Sequence, residues 1–521
     1  MRDRRGLRLG HYCATVALMT AGIGVSPALS AAIGAVLKTD ARAAIATAQE
    51  AASREDCKGV LAALDPVAAS LTGAERDAAS RMRLVCLGRE GRFLELSGLQ
   101  KELAASSPRD GLVIAYGVIV AAGENRFRDA ADQLSRLARE APASLDVLSG
   151  SGVREIIRQI SSDRSAEART ARDGAVIALA QANWSPADLP ELGDGLAGEA
   201  VTALVRANRI DEADALLDRV DDPENLSSLL IDRDYAALWP SIERRLGPAG
   251  KTAVDQYAQE KLADYGGMQT SDAALRDAAN ALLLLGRAAD AADLTGRAEI
   301  AEGMTDEEMQ VAMLRARALA LAGRDAQAAD FLSTLLTLDL VKTPEAAPAL
   351  ITYAEYLDEI GRPAQALVIA RAIQTKGKGV LNDFAMRWID RSEVCALGAL
   401  GRAAEAGPVI ERLKSLAWQN HAAAVEALLC VKRDAEAAQI ALKGFADERA
   451  SGELIVQFQP TGALWAAPKS RLRDLWAGLL ARPEVRAAFE KRGRILPKAY
   501  WPSPEAQPIP RRRVRDPSSL T

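Results

Sequence analysis

Few residues in this sequence have the type and spacing to do chemistry. Only two histidines occur in 521 residues, His11 and His421. A His-based triad or a His-ligated metal centre has little to work with, because His11 falls in a segment that reads as a removable leader. Asp221-Asp222-Pro223-Glu224 gathers carboxylates, but it lacks the Gly-centred spacing of a calcium loop and reads as a loop with helix-start charge. No P-loop, no Gly-x-Gly-x-x-Gly after a strand and no Cys-x-x-Cys occurs. His421, beside Ala422-Ala423-Ala424, reads as a helix-start residue. The expectation is a non-catalytic chain with no cofactor and no metal.

The cysteines are more informative. Met1 to Arg8 is a basic stretch, Tyr12 to Val25 is weakly apolar, and Ser26-Pro27-Ala28-Leu29-Ser30-Ala31-Ala32 offers small residues for cleavage after Ser30 or Ala32. That is the three-part layout of a secretory signal over residues 1–32, with Arg4-Arg5 leaving the twin-arginine route open. Export to the periplasm is the expected address. Four cysteines then remain, Cys57, Cys86, Cys395 and Cys430, in a compartment that permits disulfides. The midpoint of Cys57 and Cys86 falls in the turn signal Leu71-Thr72-Gly73, so two antiparallel helices joined there would set the sulfurs level and allow a bridge. Cys395 and Cys430 lie in neighbouring repeats and could be bridged or could be buried small hydrophobes, the plainer of the two readings.

The elements behind these residues come from one recurring phrase. A helical run ends in an apolar residue, Gly-Arg or Asn-Arg follows (Lys-Arg in the last copy), and Ala comes four residues after the Arg in every copy but the first, which has Leu96. The arginines stand at 92, 126, 209, 287, 324, 362, 402 and 433. Most intervals run from 31 to 40, and two of about twice that length leave room for degenerate copies near Asn183-Trp184 and Asp232–Ala237. Gly or Asn ends a helix by entering the left-handed region, Pro363 suits the first turn of the next helix, and the Ala allows close approach. Upstream, Ala279/Leu282, Ala316/Leu319, Ala354/Leu357 and Val425/Leu428 share one helical face. Helical pairs at this period predict an all-α fold, a right-handed α-solenoid.

These segments resemble tetratricopeptide repeats, most closely from Asp272 to Ala441 and more weakly from Ala41 to Arg245. The resemblance implies degenerate repeats over 33–250, regular ones over 251–450, and a groove lined by first helices that binds a protein or peptide. By position it puts Arg276, Asn280, Arg317, Glu355, Arg391 and Glu426 toward that groove. Arg276 and Asn280 fall where some relatives grip a terminal carboxylate. Glu355 stands where those relatives place a basic residue, so the likeness to that clamp is partial. The plainer reading is polar residues on a helix face. Tyr265-Gly266-Gly267-Met268-Gln269 faintly resembles a lytic transglycosylase motif, but no companion Glu-Ser is visible, and it reads as a linker.

Residues 451–501 leave the repeat pattern and resemble a terminal segment of some bacterial tetratricopeptide proteins. Trp465, Trp476, Phe489 and Trp501 give this stretch the apolar area of a helical cap. Residues 502–521 are Pro-rich and basic and read as a disordered tail. From Lys469 to Arg515 there are 13 Lys+Arg against 4 Asp+Glu, while the whole chain carries −5, which speaks against a nucleic-acid binder. The expected function is a protein- or peptide-binding scaffold in the bacterial envelope. The alternative is a structural subunit of an envelope assembly docking through its convex face or basic tail. A cell-wall enzyme or accessory is the remote third.

Overall fold

The computed structural model describes residues 41–163, 165–189, 192–377, 379, 381–460, 470–502 and 505–511. The expected signal segment, Trp465 and Arg512 to Arg515 lie outside the described residues. Among those described, the chain is helical and no strand exceeds an isolated bridge. Two compact units divide between Ala175 and Val176.

The first unit contains α1 (41–53), α2 (Cys57–Leu64), α3 (Gly73–Arg89) and α4 (Phe93–Ser106). It continues through α5 (Gly111–Gly123), α6 (Phe127–Glu140), α7 (Gly150–Ser162) and the first part of α8 (Ala166–Gln181). The second unit opens with α9 (Leu192–Arg206), α10 (Ile210–Leu216), α11 (Pro223–Leu229), α12 (Trp239–Leu246) and α13 (Lys251–Gly267). Regular hairpins follow: α14 (Asp272–Leu284) with α15 (Ala288–Leu294), α16 (Asp306–Leu321) with α17 (Asp325–Ser333), and α18 (Ala346–Glu359) with α19 (Pro363–Lys376). Then come α20 (Asp383–Ala399) with α21 (Gly407–Ser415) and α22 (His421–Cys430) with α23 (Asp434–Ala446). The unit closes with α24 (Glu448–Gln457), α25 (Arg471–Leu480) and α26 (Pro483–Arg492). Each helix packs on its hairpin partner, and α14, α16, α18, α20 and α22 also pack in succession. That stacking of first helices makes the fold an all-α solenoid.

The recurring phrase is the joint of each hairpin. Gly91, Asn125, Asn183, Asn208, Gly286, Gly323, Gly361, Gly401 and Lys432 all take φ between +54° and +76°. After each, the next N–H donates back to the carbonyl five residues earlier, as Arg209 does to Leu204 (2.8 Å) and Arg402 to Leu397 (2.8 Å). This is the bond that closes a helix end when one residue turns left-handed. At six of these joints the Arg then pairs with an acid three residues on, inside the first turn of the second helix, whereas Arg324 and Arg362 are followed there by Gln327 and Gln365. Arg209–Glu212 and Arg402–Glu405 (both 2.6 Å) are examples, and Arg92–Glu95, Arg126–Asp129, Arg287–Asp290 and Arg433–Glu436 repeat the motif. The acid also meets the positive end of its helix. Ala130, Ala213, Ala291, Ala328, Ala366, Ala406 and Ala437, four residues after the Arg, are all 0% exposed. Only a methyl group fits between helices approaching that closely.

The degenerate copy at Asn183 holds. The one at Asp232 does not: Asp232 caps a 3-10 turn, Arg233–Leu238, by accepting from Asp234 N. No Gly or Asn is present there to supply the left-handed residue. Cys57 on α2 and Cys86 on α3 form a disulfide, with Cα atoms 4.8 Å apart. Cys395 and Cys430 also form one, Cα atoms 4.9 Å apart, so of the two readings open for them the bridge holds over the plainer one. They stand one repeat period apart on stacked first helices, so the stacking sets the two sulfurs side by side.

The stretch beyond the last repeat begins as a cap. Trp476 and Phe489 pack with Phe445 and Phe458, the ring centroids of Phe458 and Trp476 lying 4.9 Å apart. It then continues across the unit. Arg494 N donates to Ile231 O (2.8 Å), and Gln507 N donates to Leu285 O (2.8 Å). Residues 505–511 are therefore hydrogen-bonded in place, where the composition had suggested a disordered tail from 502. Main-chain bonds to distant carbonyls leave no mark on composition.

Candidate functional site

The six residues expected on a peptide groove fall into two clusters of different character. The first is built on α14, α16 and the start of α11. Ser271 caps α14 by accepting from Ala274 N, and Thr305 and Glu308 form a reciprocal capping box at the start of α16. Two adjacent first helices are thereby fixed at their ends. Arg276, Asn280 and Arg317 are half-buried on them. Arg276 Nε donates to Asp277 Oδ1 (2.8 Å) and its Nη1 donates to Gln310 Oε1 (3.2 Å). Asn280 Nδ2 donates to Glu224 Oε2 (3.4 Å), and Arg317 Nη2 lies 3.7 Å from Glu224 Oε1.

Glu224 was legible only as helix-start charge. It follows Asp222, whose side chain caps α11 by accepting from Glu224 N (2.7 Å), and that cap sets its carboxylate toward α14 and α16. The result is a carboxylate held by donors from two successive repeats. Tyr257 closes the inner side: burial, with Asp277 and Asp222 nearby, raises its phenol above the ordinary range, while a hydrogen bond with Asn280 works the other way. A cation and an amide spanning adjacent helices, set around one carboxylate, can recognise a carboxylate-bearing peptide.

The second cluster, on α18, α20 and α22, is closed. Arg391 and Glu426 are 0% and 2% exposed and pair with each other. Trp476 Nε1 from α25 donates to the remaining Glu426 oxygen (2.7 Å). Arg471 pairs with Asp358, and Leu472 N donates to Glu359 Oε1 (3.2 Å). Arg473 Nη1 donates to Gln457 O (2.7 Å) and Gln459 O (3.1 Å). Burial raises the carboxyl of Glu355, with Arg391 opposing and Glu426 adding to the rise. Burial likewise raises Asp358 despite Arg471 and Arg391. Burial disfavours charge on Arg391, but Glu426, Glu355 and Asp358 outweigh it and hold the proton tightly. Arg391 and Glu426 do not line an open groove, and Glu355 sits beside their pair. The protein's own helix α25 covers that face, and an apolar patch of Cys395, Cys430, Leu472 and Leu475 seals it.

A third polar group escaped the sequence reading. Asp390 and Glu393 on α20 are buried and held by Arg412 (2.6 Å to Asp390 Oδ1), Arg371 (2.8 Å to Glu393 Oε1) and Gln374 (2.8 Å to Glu393 Oε2). Spacings of 16 to 22 residues across a hairpin give no local signal. His421 is buried at the start of α22, and burial lowers its proton affinity. Among the described residues no cluster of three or more His, Cys, Asp or Glu is arranged to hold a metal, and no helix is long and apolar enough to cross a membrane.

No described protein family and no curated protein matches the chain. Among solved structures it is similar to one of Naa15/Naa10 bound to HypK-THB, at 13% identity, covering 88% of this chain and 73% of that one, with a TM-score of 0.23. At that score the likeness carries no argument, and the solenoid assignment rests on the stacked hairpins themselves.

Proposed function

We propose that this chain is a non-catalytic, tetratricopeptide-like scaffold of the bacterial envelope that binds a protein or peptide partner on the first helices α14 and α16. The observation that carries the reading is Glu224: the donors of Asn280 and Arg317 already hold a carboxylate, one supplied by the chain itself. Glu224 stays exposed, so a partner's carboxylate can take its place. Two disulfides fit an oxidising compartment and support export. The basic leader over residues 1–32 points the same way.

The test places a photoreactive amino acid at position 280 of the full chain and illuminates it in an envelope fraction. A discrete cross-linked partner is expected, weakened by Arg317→Ala and strengthened by Glu224→Gln. A cross-link indifferent to both substitutions, or none, overturns the reading. Export is checked separately by N-terminal sequencing of the mature protein. A chain still starting at Met1 in the cytoplasmic fraction defeats that part.

A further inference from the structure

A cleft of about 930 Å³ opens between the α10–α11 turn, α12 and α13, and shares only Tyr257 with the site on α14 and α16. Four carboxylates line it, Asp218, Asp221, Glu260 and Asp264, against two guanidiniums, Arg244 and Arg245. Arg245 is already paired with Asp218 (2.6 Å). Burial and the neighbouring Glu260 push the Asp221 carboxyl above its ordinary range, and burial with Asp221 does the same to Asp194 behind it. Lys261 is paired with Glu260 (2.9 Å) and Arg219 stands near Asp194 and Asp221, so five carboxylates here face four cations.

A peptide track leads along its rim. Lys251 Nζ donates to Gln507 Oε1 (3.3 Å), Arg287 Nη1 to Gln507 O (3.2 Å) and Gln259 Nε2 to Arg511 O (2.9 Å). Lys251 to Gln259 is eight residues of helix, about 12 Å. Gln507 to Arg511 is four residues, also about 12 Å in an extended polyproline-like conformation. The segment thus runs parallel to α13, at two helix residues per extended residue, and is held mainly through its main chain. Gln259 belongs both to the track and to the cleft wall. At the same pitch, four further residues would reach along α13 from Gln259 to Gly267, the stretch that presents Glu260 and Asp264. Those residues are Arg512, Arg513, Val514 and Arg515.

We propose that the acidic cleft beside α13 is the docking site of the chain's own basic segment Arg512–Arg515. The length beyond Arg511, the direction of the track and the opposite charges select this occupant. The segment then masks the cleft from other cationic peptides and is itself withdrawn from contact with anionic envelope surfaces. This inference stands whether or not a partner binds α14 and α16.

The experiment uses the full chain. In an Arg513→Lys protein, a carbodiimide joins the introduced amine only to a carboxylate it touches. Mass mapping is expected to find an intramolecular bond from position 513 to Asp221, Glu260 or Asp264. Bonds only to other carboxylates, only between molecules, or none at all overturn the proposal. A second measurement titrates a labelled peptide of residues 511–521 into the chain carrying Arg512→Ala, Arg513→Ala and Arg515→Ala, and into the unsubstituted chain. A tethered occupant competes at an effective concentration of about millimolar, so the peptide is expected to bind the substituted chain at least about tenfold more tightly. Adding Glu260→Lys and Asp264→Lys is expected to abolish that binding. Equal binding to both chains would assign the cleft to an external cationic segment and overturn self-docking.

Discussion

The two units use the same hairpin joint but treat their acids in opposite ways. In residues 41–175, the carboxylates displaced from their ordinary range are all lowered: Glu95, Glu124, Glu140, Glu155 and Asp163. Arginine hydrogen bonds are the main cause for the glutamates, taking Glu155 to about 2, and backbone and side-chain bonds from Ser165 lower Asp163. Residues 176–511 keep such lowered acids at their turns, as at Glu212, Glu405 and Glu436. They add a second population raised by burial: Asp194, Asp221, Asp222, Asp232, Glu355, Asp358 and Glu453. The joint is electrostatically inexpensive because its pairs stay in water. Covering a polar helix face with α25 takes charges out of water, and only close pairing makes that tolerable.

The largest effect that could break this contrast is Trp476→Ala. It removes a ring packed against Phe458 and the donor to buried Glu426, and is expected to destabilise the second unit by about 3–5 kcal/mol. All seven tryptophans lie beyond residue 176, so denaturant unfolding followed through the remaining indoles reports that unit alone. Hydrogen exchange over α2–α5 should not change. A shift there of similar size would mean that the two units unfold as one.

Replacing Cys57 and Cys86 by serine is the mirror experiment. Loss of that bridge is expected to cost the first unit about 2–4 kcal/mol, seen as faster exchange in α2 and α3. The tryptophan-reported transition should stay in place.

The joint itself was legible because it is local. Left-handed turn, arginine, acid and alanine lie within seven residues, and each answers a requirement of ending one helix and starting another. Cys57–Cys86 was legible for the same reason, since a bridge across one hairpin is fixed by the position of its turn. The covering of Arg391 and Glu426 was not. The stacking of first helices led to the expectation of a groove there, but the face is covered by Trp476, 50 residues beyond Glu426. The Arg494 and Gln507 bonds to Leu230, Ile231 and Leu285 reach back more than 220 residues, and carbonyl acceptors have no sequence signature.

A smaller effect sharpens the account of the joint. Lys432, at φ 60°, and Glu55, at φ 58° between α1 and α2, place side chains other than Asn at the left-handed turn position of a hairpin. Lys432→Gly is expected to stabilise the second unit by about 1 kcal/mol, read from the same unfolding curve. No gain, or a loss, would show that Lys432 contributes through contacts rather than tolerating its backbone.

The subtlest expected effect is on pH dependence. A carboxyl raised in the folded state binds its proton more readily than in the unfolded chain, so stability grows as pH falls from neutral toward the unfolded value near about 4. The lowered acids of the first unit contribute stability above that value and lose it only as pH falls toward their folded values. Between pH 7 and 5 the tryptophan-reported melting temperature should rise, while exchange protection in the first unit, taken relative to the intrinsic rate at each pH, stays level. His421 opposes the rise, because burial lowers its proton affinity and its contribution is lost below about 6.5. His421→Gln should therefore steepen the increase. A flat or falling profile in that variant would defeat the assignment of raised carboxyls.

The contact between Arg494 and Leu230 also bears on how the protein is made. Chains emerge from the ribosome in order, and early portions can begin to fold before later ones exist. The hairpins from α9 to α23 can stack during synthesis, but the α18–α22 face stays uncovered until residue 476 has been added, and the strap to Ile231 until residue 494. Throughout that interval Arg391, Glu426 and the neighbouring apolar patch are exposed to water and to other nascent segments. A translation pause or a premature stop in this window would leave a nearly complete coil with a sticky inner wall, the form most prone to aggregate and most in need of a chaperone.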